Sequence, residues 1–78
     1  MMEAHHYVTK KSVKRMAHVN GVNMGEPANQ RIMDYIEKAD ADVLFVAHHI
    51  EAMARVLRAV GKRNLTEGFV EAWCESLW

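Results

Sequence analysis

The residues best suited to chemistry are the histidines, the single cysteine, two aspartates and two basic clusters. His48 and Glu51 lie three residues apart, so on a helix both would face one metal ion. A helical two-metal centre repeats such a pair on a second helix, and no second copy is present, so no metal or cofactor is expected. His48 and His49 read as interface or surface residues, and His5, His6 and His18 share no helical register with them. Cys74 sits between Glu71 and Glu75, whose charges disfavour the reactive thiolate. Asp40 and Asp42 would point about 200° apart on a helix and cannot act as a dyad. With no glycine-rich phosphate loop either, the chain is expected not to be an enzyme.

The basic clusters suit binding. Lys10, Lys11, Lys14 and Arg15 crowd one short segment, and Arg55, Arg58, Lys62 and Arg63 crowd another. Brought together in a dimer they would form a track for phosphates, with Lys10, Lys11, Lys14, Arg15, Lys62 and Arg63 as the candidate nucleic-acid contacts. Alternatively they form a solvated surface balancing Glu67, Glu71 and Glu75, or hold a small anion at an oligomer interface. No aromatic residue interleaves them, which disfavours stacking on single-stranded bases. The formal net charge is zero, which argues against a dedicated DNA packager and favours self-association. By region, residues 1–25 carry +3, residues 26–54 carry −4 and residues 55–78 carry +1.

These side chains must be positioned by a small chain. It has 78 residues, half of them apolar and 26% charged, with one Pro. Such a composition folds rather than remaining disordered. No apolar run approaches the roughly 20 residues of a membrane span, and the first residues lack the pattern of a secretory signal. A lone cysteine fits a reducing compartment, so a cytoplasmic location is expected.

The pattern is all-α: one domain over 1–78, with a short helix at 10–20, a long central helix at 27–60 and a short helix at 66–77. No internal repeat stands out. Thr9 or Ser12 caps the first helix, and Asn20-Gly21 ends it. Ile32, Ile36, Ala39, Val43, Val46, Ile50, Met53, Leu57 and Val60 then alternate at spacings of four and three, a coiled-coil-like seam. A continuous helix over 27–60 would be about 50 Å long, against a diameter of roughly 30 Å for a 78-residue globule. Either the helix breaks at Asp40-Ala41-Asp42 or the protein pairs with itself. No Gly or Pro marks a break, so a homodimer is expected, with Ile36, Val43, Val46, Ile50, Met53 and Leu57 at its interface. Thr66 caps the last helix, where Phe69 and Trp73 share a face. Phe69, Trp73 and Trp78 are the expected anchors for a partner protein.

Short helix, loop, long helix, loop, short helix resembles the histone fold. The segment from Gly61-Lys62-Arg63-Asn64-Leu65-Thr66 to Glu67-Gly68-Phe69-Val70-Glu71-Ala72 is similar to that family's second loop and third helix. The resemblance implies two chains clasped around their middle helices, with Lys14, Lys62 and Arg63 near DNA phosphates. The middle helix, from Ala28 to Gly61, is longer than the family's; Phe69 replaces a usual acidic residue and Asn23 a frequent basic one. The expected function is a non-enzymatic helical oligomer that binds a macromolecular partner, foremost a regulatory or inhibitory protein contact. The alternative is a histone-like dimer that binds DNA without sequence preference.

Overall fold

Thr9 opens the first helix with a reciprocal cap: its Oγ1 accepts from the Ser12 N–H at 3.1 Å while Ser12 Oγ accepts from the Thr9 N–H at 2.9 Å. In the computed structural model, which describes residues 8–77, six elements follow in order. They are α1 (Lys10–Val19), β1 (Asn23–Met24), α2 (Glu26–Ala39), α3 (Val43–Ala59), β2 (Asn64–Leu65) and α4 (Glu67–Ser76). The protein is all-α apart from one two-residue parallel bridge between β1 and β2, in the register Asn23 with Asn64 and Met24 with Leu65. Among the described residues, no helix is long and apolar enough to cross a membrane.

The expected central helix is two helices. Asp40 adopts the left-handed conformation (φ 54°) and closes α2, while the Ala41 N–H bonds back to the Ile36 carbonyl. Asp42 caps α3, its carboxylate accepting from the Phe45 N–H at 2.9 Å. Aspartate is among the few residues that both tolerate a left-handed backbone and cap a helix. Two aspartates therefore do here what glycine and proline usually do. The turn divides the seam between two helices that pack on other elements, α2 on α4 and α3 on α1, and the chain has a radius of gyration of 11.7 Å.

That fold covers most of the seam from within. Ile36, Val46, Ile50, Met53 and Leu57, expected to face a second copy, are buried in the chain's own core, and of the expected interface only Val43 stays exposed. They pack with Val13 and Ala17 of α1, Met24 and Leu65 of the bridge, and Val70 of α4. Burying such side chains contributes roughly 1.5–3 kcal/mol each relative to exposure.

The molecule is also a structural repeat, contrary to the expectation of none. Helix–strand–helix occurs twice, with α1 packed on α3 and α2 on α4. Both first helices end the same way. Gly21 (φ 86°) and Gly61 (φ 77°) sit past the C-cap, and the next residue's N–H reaches back five positions, Val22 to Ala17 and Lys62 to Leu57. Asn then points outward and Met or Leu inward in each strand.

Candidate nucleic-acid interface

α1 has no acidic residue in its first turn, although cations at that end oppose the helix dipole. Lys10 is offset locally: its Nζ lies 2.6 Å from a Glu26 carboxylate oxygen. That hydrogen bond, and then the Lys10 charge, hold Glu26 below its usual pKa, with Lys14 adding to the effect. Lys11, Lys14, Arg15 and His18 have no such ion pair among the described residues. They line a shallow concavity with Val22, Asn23 and Met24 of the β1 segment.

The bridge brings the second cluster to the same place. The Asn23 N–H donates to the Arg63 carbonyl at 2.7 Å, and Asn23 Nδ2 donates to Asn64 Oδ1 at 3.5 Å. Arg58 reaches across from α3, its Nη1 donating to the Asn20 carbonyl at 3.1 Å. Lys62 and Arg63 thus flank the strand that carries α1's concavity, and both are exposed. A buried Asn29 fixes the base of α1, its Nδ2 donating to the Lys10 carbonyl at 3.0 Å.

Segments 9–25 and 52–66 hold eight of the ten Lys and Arg residues and no carboxylate. The fold joins these two segments through β1 and β2 within one chain. Of the six expected contacts, Lys11, Lys14, Arg15, Lys62 and Arg63 gather around the bridge, while Lys10 is taken up by Glu26. Arg58, of the second basic cluster, and His18 join the face, although neither was among the six expected contacts. His18 was detectable, since 11, 14, 15 and 18 lie on one helical face. Arg58 was legible as a member of the cluster, but its reach to the Asn20 carbonyl was not, because that depends on the α1–α3 packing.

The aromatic side chains gather elsewhere, on α2, the first turns of α3 and α4. Tyr35 stacks near Phe45 at 6.3 Å, Phe45 meets His49 at 4.4 Å, and Trp73 lies 5.9 Å from Phe69. Trp73 Nε1–H donates to His49 Nδ1 at 3.1 Å, which requires that nitrogen to be unprotonated. Burial, and then the nearby His48, hold the His49 pKa below its usual value. Phe69 and Trp73, expected as partner anchors, are half-buried against the chain's own core; Trp78 lies outside the described residues.

Cys74 is half-buried beside Tyr35 and Trp73. Its pKa is raised by burial, against an opposing effect of Arg31, so desolvation rather than the flanking glutamates suppresses the thiolate. Arg31 in turn faces Glu67 at 3.6 Å and Glu71 at 3.5 Å. Among the described residues no three His, Cys, Asp or Glu side chains come together as a metal site; His5 and His6 lie outside those residues. Comparison with protein-family models, curated proteins and solved structures finds no match.

Proposed function

We propose that the protein binds the phosphate backbone of duplex DNA, without reading sequence, through the cationic face built on α1 and the β1–β2 bridge. The observation that carries this reading is the joining of two carboxylate-free segments, 9–25 and 52–66, by the hydrogen bonds of Asn23. Lys11, Lys14, Arg15, Arg58, Lys62 and Arg63 supply charge at that face, and Asn23 and Asn64 supply neutral hydrogen-bonding groups between them. Such groups position a protein on phosphates but do not distinguish bases. No described aromatic lies on this face, so stacking on unpaired bases has no platform there. The likeness of Gly61–Ala72 to histone-fold proteins points the same way.

The test is a titration of fluorescent duplex DNA of mixed sequence over a range of salt. With about five phosphates neutralised, log K should fall with log salt at a slope near −4 to −5. Binding should be equal for unrelated sequences. Absence of binding at low salt would remove the proposal.

A protein partner is favoured by a different surface. Val43, Leu44 and Phe45 are exposed apolar residues at the start of α3, Leu44 the most at 77%.

A further inference from the structure

We propose that His18 makes duplex binding proton-dependent. Its imidazole takes up a proton as the cationic face meets phosphates, so binding tightens as pH falls through the range in which histidine titrates. This rests on the DNA-binding reading and names the residue through which pH regulates that site.

The place of His18 in the fold is the first ground. His18 continues the row of Lys11, Lys14 and Arg15 along one face of α1, and it lines the same concavity with Val22, Asn23 and Met24. It lies in the last turn of α1, where the helix dipole favours a cation. The Gly21 N–H donates to its carbonyl at 2.9 Å, and two residues beyond His18 the Asn20 carbonyl accepts from Arg58. His18 therefore stands at the junction between the cations of α1 and the second cluster, Arg58, Lys62 and Arg63. A charge there makes the two clusters one continuous track, and a neutral ring interrupts it.

The source of the counter-charge is the second ground. His18 is exposed, and segments 9–25 and 52–66, which build the face, contain no carboxylate. Glu26, which approaches from the start of α2, is held by Lys10 at 2.6 Å and is influenced in addition by Lys14. An imidazolium at position 18 thus finds its anionic partner outside the chain, on the phosphates of a bound duplex. By linkage, a complex that holds more protons than the free protein gains affinity as pH falls.

Other titrating groups are separable from this one. Lys10 keeps the Glu26 carboxyl below its usual range, so it stays ionised where a free imidazole gains its proton, near pH 6.5. His48 and His49 belong to the first half of α3, and His49 has its Nδ1 occupied by the Trp73 indole.

The experiment titrates fluorescent duplex DNA of mixed sequence with the full chain, unaltered or carrying His18→Gln or His18→Lys. Each is measured at about pH 8 and about pH 5.5, with circular dichroism confirming that it is folded at both. At about 0.1 M salt, one added phosphate contact raises affinity roughly five- to tenfold and steepens the salt slope by about 1. The unaltered chain should gain that much on going to the lower pH. His18→Gln should gain nothing. His18→Lys, charged at both pH values, should bind at the higher pH as tightly as the unaltered chain does at the lower, with no further gain. If the unaltered chain showed no gain, or His18→Gln kept it, the proposal would be overturned while DNA binding stood. Absence of binding at both pH values would overturn the two together.

Discussion

At the scale of single residues, the clearest linkage between chemistry and stability is His49. Its Nδ1 is occupied as an acceptor by Trp73, and burial lowers its pKa. In the unfolded chain the imidazole gains a proton near pH 6.5, whereas the folded chain resists it. Below that pH the unfolded state binds more protons, so stability falls as pH drops from 7.5 to 5.5. Thermal melts should show Tm falling over that window. His49→Gln keeps an acceptor for the indole and should flatten the pH dependence; an unchanged slope would remove His49 as its source. Gly21 and Gly61 are residue-scale constraints of another kind. Both hold positive φ, and a Cβ at Gly21 would also come within 3.4 Å of Arg58 Cδ. Alanine at either should cost about 1 kcal/mol by denaturant unfolding, and Gly21→Ala should in addition disturb the Arg58 contact with Asn20.

At the scale of elements, helix ends decide the fold. Asp42 and Thr66 each accept a backbone N–H three residues on, and alanine at Thr66 should destabilise by about 1 kcal/mol. Ile50, fully buried in the middle of α3, should cost about 2–5 kcal/mol on truncation to alanine, measured by the same unfolding curves. The helices themselves were legible from the periodicity and from Thr9, Pro27 and Thr66. The turn at Asp40 was legible only as an option. A left-handed aspartate followed by a capping aspartate leaves the apolar rhythm intact, and the rhythm alone favours a longer helix. The repeat of helix–strand–helix was hidden by spacing. Asn follows Gly by two residues at Gly21-Val22-Asn23 but by three at Gly61-Lys62-Arg63-Asn64, so a fixed-offset comparison slips. The basic clusters could be read residue by residue. Their meeting within one chain could not, because it depends on the pairing of two-residue strands 41 positions apart.

At the scale of the whole molecule, a net charge of zero conceals a separation of sign. Carboxylates are absent from 9–25 and 52–66, while nine of the ten lie outside them among residues 26–51 and 67–77, on or beside α2 and α4 and in the first half of α3. A polyanion therefore meets one orientation of the protein favourably and the opposite one with repulsion. Electrostatic steering of this kind weakens with salt, over a screening length of about 8 Å at physiological ionic strength.

The central claim is that the two basic clusters form one DNA-binding face because the β1–β2 bridge joins them. The measurement that tests it most directly is the salt slope of duplex binding for four proteins: the unaltered chain, Lys11→Ala/Lys14→Ala, Lys62→Ala/Arg63→Ala, and all four changes together. Each phosphate-contacting cation removed should reduce the magnitude of the slope by about 1. Each pair should therefore reduce it by about 2, and all four together should leave little salt-dependent binding. If removing Lys62 and Arg63 left both affinity and slope unchanged, the second cluster would not belong to the face, and the account built on the bridge would fail.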